Sequence, residues 1–335
     1  MVGQQKVSMT SRQKLVQPVM ALAVLALMAI FVPANAQDNW PSKPVKVIVP
    51  SSPGGGTDIF GRLLAQALTD ELRQPFVVDN RAGASGNIGA AATAKSAPDG
   101  YTFMVTANAS IAISPGLYSA LPFDAERDFT PIAQGVFAPM VIVAHAGSGM
   151  RTLAQLIERG KQKPGESFYG SAGVATPPFM GVKMLESLSG AKFEHVPYKG
   201  VAPAYQDLLS GRLQFMYPDL ASIQPFIRSG QVVALAINRE TDLLPNVPSF
   251  EKAGVNGMTA RTTFSIVGPA GLPPQIAAKL SATINTIMKS PAIATRLREL
   301  ALIPIFDTPA EFASSLKRER DYWAVFINRN GIKAD

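Results

Sequence analysis

Short apolar runs alternate with amphipathic stretches through most of the chain. Residues 45–50 form an apolar run that predicts a strand, and this run leads directly into a loop of small residues. Apolar positions at helical spacing over residues 59–68 then predict a helix, with Thr57 or Asp58 placed to cap it. Further strands are predicted at residues 76–79, 101–106, 141–143, 167–169, 193–197, 211–217 and 232–237. Strands that alternate with helices in this way predict an α/β fold with parallel sheets covered on both faces.

From residue 273 onward the pattern changes and is purely helical. Three amphipathic segments, at residues 274–288, 291–300 and 309–328, each open with a proline, which is favoured in the first turn of a helix. The pattern is compatible with one large domain or with two lobes linked by crossover segments.

The N-terminus has the pattern of a secretory signal peptide. The bases Lys6, Arg12 and Lys14 precede an apolar run at residues 19–32, and the small-residue pattern Ala-Asn-Ala ends at Ala36. A membrane anchor is the alternative, but a run of about 14 residues is shorter than the roughly 20 that a spanning helix needs. Residues 1–36 are therefore predicted to be a leader cleaved near Ala36, and the product is expected in the periplasm.

Composition narrows the chemistry. The 335 residues include no cysteine and two histidines, which excludes disulfides, thiol nucleophiles and zinc–thiolate sites and argues against a histidine metal site. We therefore expect no metal and no cofactor. Removing the leader takes away three bases and no acid, so the formal net charge falls from +7 to +4. This balance suits a small anionic ligand without requiring nucleic acid.

The first candidate site is the loop after the first predicted strand. It consists of Ser52, Pro53, Gly54, Gly55, Gly56, Thr57 and Asp58. Glycines let a backbone approach a ligand closely, and a helix start offers unpaired N–H groups to an anion. A nucleotide loop would place Lys after the glycines, where this chain has Thr57-Asp58. The sequence favours a small carboxylate here, with a tight turn that holds no ligand as the alternative.

A second candidate loop lies in the other half of the chain. It contains Ser171, Ala172, Gly173, Ala175 and Thr176, and helix packing is its alternative interpretation. Two anion-binding helix starts in separate halves suit a ligand clamped between lobes.

Further candidates lie at other strand ends. They are Ser85, Asn87, Asn108, Ser110, Tyr198, Gly200 and Asp219. Helix packing accounts for the loop around Ser85 and Asn87, and an ordinary turn accounts nearly as well for Asn108. Asp219 is placed either to accept from a ligand hydroxyl or protonated group, or to cap the helix that follows it.

Motifs typical of hydrolases are missing. The sequence contains neither G-x-S-x-G nor H-E-x-x-H. His145 fits a linker, His195 fits a core histidine, and Lys199 fits a solvated side chain. A binding protein needs no nucleophile or general base, so the sequence favours recognition over catalysis.

Seven segments in order resemble the Bug family, the TctC-like extracytoplasmic solute receptors of tripartite tricarboxylate transporters. They are WPSKP at 40–44, PGGGTD at 53–58, NRAGASGNIG at 80–89, PDGYT at 98–102, VPYKG at 196–200, DLLSG at 207–211 and GPAGLP at 268–273. The likeness covers nearly all of the chain after the leader.

The resemblance implies a periplasmic-binding-protein fold of two α/β lobes joined by crossover strands, with a ligand cleft between them. It places lobe 1 at residues 37–134 plus 258–335 and lobe 2 at residues 135–257. It also implies that backbone N–H groups of residues 52–57 and 171–176 hold a ligand carboxylate, partly through water. The expected partners are this carboxylate and the membrane permease subunits, and the receptor is expected to be a monomer. A receptor that feeds a sensor kinase and an exported α/β enzyme are the alternatives.

The second loop departs from the family pattern. After Gly173 the family commonly has Gly-Ser or Gly-Thr and then a His, whereas this chain has Pro177-Pro178-Phe179. Two prolines remove two amide donors, and Phe179 stands near the expected imidazole. The ligand is therefore expected to be an aliphatic di- or tricarboxylate or, given Phe179, a bulkier aromatic acid.

Overall fold

The structure is a computed structural model that describes residues 1–4 and 40–334. Residues 5–39, which carry the basic, apolar and cleavage segments of the predicted leader, lie outside the described residues. The strands are β1 (Val45–Val49), β2 (Phe76–Asn80), β3 (Thr102–Thr106), β4 (Phe129–Ala138), β5 (Val141–His145), β6 (Phe168–Ser171), β7 (Glu194–Pro197), β8 (Phe215–Met216), β9 (Val232–Ile237), β10 (Thr262–Pro269) and β11 (Ile303–Pro304). All of them lie within one compact unit, Pro41–Asp335.

The helices are more numerous than the pattern predicts at the middle of the chain. They are α1 (Gly56–Leu72), α2 (Asn87–Ala94), α3 (Ser114–Leu117), α4 (Leu153–Gln162), α5 (Pro177–Ser189), α6 (Val201–Leu209), α7 (Leu220–Arg228), α8 (Pro274–Lys289), α9 (Pro291–Glu299) and α10 (Pro309–Asn330). Short 3₁₀ turns lie at Ala84–Gly86 and Ala146–Ser148, and a π-helical turn lies at Ala109–Ile113. Within the described residues, none of these helices is long and apolar enough to cross a membrane.

The first lobe is built on a six-stranded sheet in the order β11-β4-β10-β3-β1-β2. β1 lies between β2 and β3 and runs parallel to both, with Val47 paired to Val78 on one side and to Phe103 on the other. β10 runs antiparallel to β3 and to β4. Helix α1 packs against β1 and β2, and α8 and α10 pack against β4.

The second lobe is built on a five-stranded sheet in the order β7-β6-β8-β5-β9. β6 is parallel to β7 and β8, while β5 is antiparallel to β8 and β9. Its core includes the aromatic side chains of Tyr169, Phe193 and Phe215. Tyr169 and Phe215 lie 5.4 Å apart between ring centroids, and Phe193 meets Phe215 edge-on at 4.8 Å.

The prediction of parallel sheets is wrong for one part of each sheet. Both sheets are mixed, because the chain passes from one lobe to the other after β4 and returns before β10. A strand that arrives from the other lobe need not follow the right-handed crossover that makes βαβ strands parallel. β4 and β10 lack the alternation of a half-buried strand, and all eight residues of β10 are buried.

Smaller corrections follow from length and capping. The predicted all-helical end contains β11, a two-residue strand on β4 that is too short to show a period. Only Phe215 and Met216 form a strand within the predicted residues 211–217. The N-cap of α1 is Gly55, with no side-chain cap, and not Thr57 or Asp58. His145 ends β5 instead of lying in a linker.

Candidate functional site

A cavity of about 90 Å³ lies between the lobes at the carboxyl ends of β1, β3 and β6. On this measure a single water needs roughly 10–15 Å³, so the cavity has room for a small organic molecule. We call it the cleft. Its lining consists of Pro50, Ser51, Gly55, Gly56, Thr57, Ala82, Gly83, Ser85, Gly86, Thr106, Ala107, Ala109, Met140, Ala172, Thr176, Pro177, Pro178, Lys199, Gly200, Val201, Asp219, Thr262 and Phe264.

The first-lobe wall is the start of α1. Gly55 is the N-cap residue, so the first amides of α1 receive no side-chain cap from their own loop. Gly55 and the next residue, Gly56, both lie against the second lobe. A Cβ at Gly55 would lie 2.9 Å from Val201 Cγ2, and a Cβ at Gly56 would overlap the Asp219 carboxylate. Only glycine leaves room for the second lobe to approach this helix start.

Asp58 holds the first loop in shape and does not line the cleft. Its buried carboxylate accepts hydrogen bonds from the Gly54 amide at 3.0 Å, Arg62 Nε at 3.0 Å and Asn80 Nδ2 at 2.9 Å. Burial raises the pKa of Asp58, but these donors outweigh it, led by Arg62, and the pKa ends below its ordinary value. The carboxylate is therefore fully used by the protein.

The second-lobe wall is the loop between β6 and α5. Thr176 is the N-cap of α5 and its hydroxyl donates to the Gly173 carbonyl at 2.6 Å. The Gly173 amide donates in turn to Ser171 Oγ at 3.2 Å, and Ser171 Oγ lies 2.8 Å from His195 Nε2. The loop is thus fastened to β7 from behind, while Ala172 and Thr176 face the cleft.

Backbone and small side chains join the two lobes at the rim of the cleft. The Ala175 amide donates to Ser85 Oγ at 3.3 Å. A Cβ at Gly173 would overlap Ser85, and a Cβ at Gly200 would lie 2.7 Å from Ser52 Cβ. The seam therefore depends on glycine in the second lobe opposite serine in the first.

Asp219 lines the cleft from the second lobe. It is the N-cap of α7, and its Oδ1 accepts from the Ser222 amide at 3.0 Å. Burial raises the pKa of Asp219, and the amides of Ser222 and Gly56 oppose that rise. The predicted helix cap is confirmed, and the same side chain also lines the cleft.

The cleft contains fewer of the predicted side chains than the sequence suggests. Eight predicted residues line it: Gly55, Gly56, Thr57, Ser85, Ala172, Thr176, Gly200 and Asp219. Twelve do not: Ser52, Pro53, Gly54, Asp58, Asn87, Asn108, Ser110, Ser171, Gly173, Ala175, Phe179 and Tyr198. Most of the twelve flank a lining residue and shape its loop.

Three of the twelve side chains have partners that point them elsewhere. Phe179 is buried and packs edge-on against His195 at 4.7 Å. Tyr198 donates from its hydroxyl to Asp207 Oδ2 at 2.7 Å. Asn108 donates to Thr263 Oγ1 at 2.8 Å and is buried. An aromatic wall formed by Phe179 is therefore not a feature of the cleft.

Sequence reasoning missed the apolar walls. Met140 follows β4 and Phe264 lies in β10, the two strands without a periodic signal, while Pro177 and Pro178 begin α5. Ser51 also lines the cleft, and its hydroxyl is buried with no hydrogen-bond partner among the described residues. Lys199, expected to be simply solvated, is exposed at the rim and is part of the lining.

Charge is sparse in this site. Among the described residues that line the cleft, Lys199 and Asp219 are the two with acidic or basic side chains. No group of three or more acidic or histidine side chains within residues 40–334 is arranged to hold a metal. The cleft is thus a largely apolar chamber bordered by backbone amides.

Two α/β lobes that enclose a cleft at the carboxyl ends of their strands are the architecture of a periplasmic binding protein. Residues 60–331 match the family model described as "Tripartite tricarboxylate transporter family receptor" (TctC). This chain belongs to that family, and the resemblance to Bug and TctC receptors is confirmed.

Individual relatives agree along nearly their whole length. The chain is 33% identical to "Protein BugT" of Bordetella pertussis, with 92% of this chain and 98% of that protein covered. A Rhodopseudomonas palustris protein solved with adipate is 30% identical, with a TM-score of 0.85 over 88% of this chain and 99% of its own. MatC of the same organism, solved with bound malate, is 27% identical, with a TM-score of 0.81 over 86% of this chain and 100% of its own.

Proposed function

We propose that this receptor captures a small organic carboxylate in the cleft and delivers it to the membrane subunits of a tripartite transporter. The observation that carries this proposal is the meeting of two helix-start loops, residues 55–57 and 172–176, from different lobes on one cavity. Backbone amides near the start of α1 and the Ser51 hydroxyl, which has no hydrogen-bond partner among the described residues, are able to donate to an anion, whereas Pro177 and Pro178 leave the start of α5 without two N–H donors. Relatives solved with adipate and with malate support the same class of ligand.

The physics of a two-lobed receptor needs contacts from both sides. A ligand that bridges the lobes favours the closed arrangement because it binds that state better than the open one. Hydrogen bonds to a charged group contribute about 1.5–3 kcal/mol each, and micromolar binding corresponds to about −8.2 kcal/mol. Hydrogen bonds from a few backbone amides, together with Ser51 Oγ and Lys199, are therefore sufficient for micromolar binding.

We also propose an export leader, two lobe boundaries and a monomeric state for this chain. Residues 1–36 direct export and are removed near Ala36. Lobe 1 comprises residues 37–134 plus 258–335, and lobe 2 comprises residues 135–257, although β4 continues to Ala138 in the first sheet. The receptor acts as a monomer and meets its permease subunits as an exported protein.

The test begins with a thermal-shift screen of mono-, di- and tricarboxylates, with aromatic acids included. Compounds that bind the native state raise its melting temperature. Calorimetry then compares the native protein with Gly55→Asp, which adds a carboxylate at the start of α1 on the side that faces Val201. Ala120→Asp adds the same charge at an exposed position and is the control.

We expect Gly55→Asp to lose at least about tenfold in affinity, or about 1.4 kcal/mol, while its circular dichroism stays native. Ala120→Asp should bind like the native protein. Full affinity in Gly55→Asp would contradict the placement of the carboxylate. Turnover of a bound acid in a mass-spectrometric time course would contradict a receptor role.

A further inference from the structure

Asp219 belongs to the second lobe, and its carboxylate reaches the N-terminus of α1 in the first lobe. A Cβ at Gly56 would lie 2.6 Å from Asp219 Oδ2 and closer still to Oδ1 and Cγ. Helices α1 and α7 pack against each other there. One acidic side chain of the second lobe therefore faces the starts of two helices, its own α7 and the first-lobe α1.

Asp219 is held firmly in this position. Its carboxylate accepts from the Ser222 amide at 3.0 Å, and its carbonyl accepts from Ser222 Oγ at 3.1 Å. The hydroxyls of Ser222 and Tyr205 are 2.6 Å apart, and Tyr205 is buried. A bridge to Met140 fixes the backbone of Asp219. The side chain is thus part of the rigid wall of the cleft.

This arrangement uses the positive end of α1 before any ligand arrives. A negative side chain near the first turn of a helix satisfies its amides and its dipole. Within the described lining, Lys199 is the one positive group, and it is exposed at the rim. Burial raises the pKa of Asp219, and the amides of Ser222 and Gly56 favour its ionised form against that effect. Beside the ionised form, a second ligand carboxylate would meet a like charge in an apolar chamber, whereas a ligand O–H or N–H would meet an acceptor.

We propose that Asp219 determines which carboxylates this receptor takes: the cleft binds an acid with one carboxylate and a hydroxyl or ammonium group that donates to Asp219, and it disfavours a dicarboxylate of the same length. This inference rests on the proposed function, because it assigns the second polar group of the same ligand. It removes tricarboxylates from the expected ligands.

Two matched series of acids test the inference by calorimetry at neutral pH. The four-carbon series is butanoate, 4-hydroxybutanoate, 4-aminobutanoate and succinate. The six-carbon series is hexanoate, 6-hydroxyhexanoate, 6-aminohexanoate and adipate. Each is titrated into the native protein, Asp219→Asn and Asp242→Asn. Asp242 is exposed in the second lobe outside the cleft, so its variant makes the same change in net charge as a control.

In the native protein, the better of the hydroxy and amino acids should bind at least about tenfold tighter than the dicarboxylate of equal length. Asp219→Asn should abolish or reverse this ratio, and Asp242→Asn should leave it unchanged. A native preference for succinate or adipate, or a ratio that survives Asp219→Asn, would overturn the inference. The native ratio decides the matter even if Asp219→Asn does not fold.

The two proposals fail in different ways. If dicarboxylates bind well and ignore Asp219, carboxylate capture stands and the role of Asp219 falls. If none of these acids and no acid of the screen binds, carboxylate capture itself falls, and the inference falls with it.

Discussion

His195 shows how a single residue can support a loop of the cleft wall without lining the cleft itself. Its ring lies 5.0 Å from Tyr169 and 4.7 Å from Phe179 between centroids, and its Nε2 is 2.8 Å from Ser171 Oγ. Burial lowers the pKa of His195 to about 4, with the positive charge of Lys183 acting in the same direction. The ring is therefore neutral at physiological pH and is a fixed partner for the second loop.

This pKa predicts a pH dependence of stability. The unfolded chain protonates His195 near pH 6.5, and the folded chain does so near pH 4. Between these values the unfolded state binds more protons, so the free energy of unfolding falls as the pH falls. The contribution is fully present above about pH 6.5 and is lost toward about pH 4.

Urea unfolding of His195→Gln checks this at several pH values across that window. As the pH falls, the free energy of unfolding should decrease less in this variant than in the native protein, because glutamine does not titrate. His145→Gln removes the other histidine of the sequence and is the control. Identical declines in the native protein and in His195→Gln would refute the assignment.

Among elements, the C-terminal helix α10 begins with a cap that is legible in the sequence. Thr308 and Glu311 form a capping box: Thr308 Oγ1 accepts from the Glu311 amide at 3.2 Å, and the Thr308 amide donates to Glu311 Oε2 at 2.8 Å. Pro309 occupies the first turn, where its missing N–H costs nothing. A proline likewise opens each of the three terminal helices, and this local signal with the apolar spacing predicts them within two residues of their observed ends.

Replacing the cap measures its contribution. Thr308→Ala should lower the free energy of unfolding by about 1 kcal/mol, because an amide of the first turn loses its acceptor. Thr283→Ala, within α8, is the control, since this hydroxyl only bonds the Lys279 carbonyl one turn back. Urea denaturation that gives the same stability for both variants would contradict a stabilising box.

β4 and β10 are the elements that the sequence conceals. β10 contains Thr262, Thr263 and Ser265 among its apolar residues, and all of them are buried. A strand enclosed on both faces has no alternation to detect, and its short polar side chains imitate a loop. Met140 follows β4 and Phe264 lies in β10, so the sequence pattern did not reveal the apolar walls of the cleft.

At the scale of the whole molecule, the two lobes approach each other where glycine in one lobe faces serine in the other, and Gly200 opposite Ser52 is one such point. Gly200 has extended backbone with φ of 176°, so any residue can adopt its conformation. A Cβ there would nevertheless lie 2.7 Å from Ser52 Cβ in the other lobe. The constraint on residue 200 is therefore contact between lobes and not folding within one lobe.

Gly200→Ala should fold with a nearly native melting temperature but bind its carboxylate at least about tenfold more weakly, because the lobes no longer close. Ser52→Gly removes the opposing Cβ and Oγ, so the double variant Gly200→Ala/Ser52→Gly should recover most of the affinity. Calorimetry and small-angle scattering with the acid present measure both effects. Native affinity in Gly200→Ala, or no recovery in the double variant, would show that closure does not pass through this contact.

The sequence by itself determined the α/β class, the family and the loops at the starts of α1 and α5, and it left Asp219 open between a helix cap and a ligand acceptor. Periodicity, turn residues and caps act over a few residues, so they are legible without a fold. Only the tertiary structure decided that β10 runs antiparallel, that Phe179 packs on His195 behind the cleft and that Asp219 faces Gly56 across it. Such contacts join residues far apart in the chain, and they depend on how two lobes pack together.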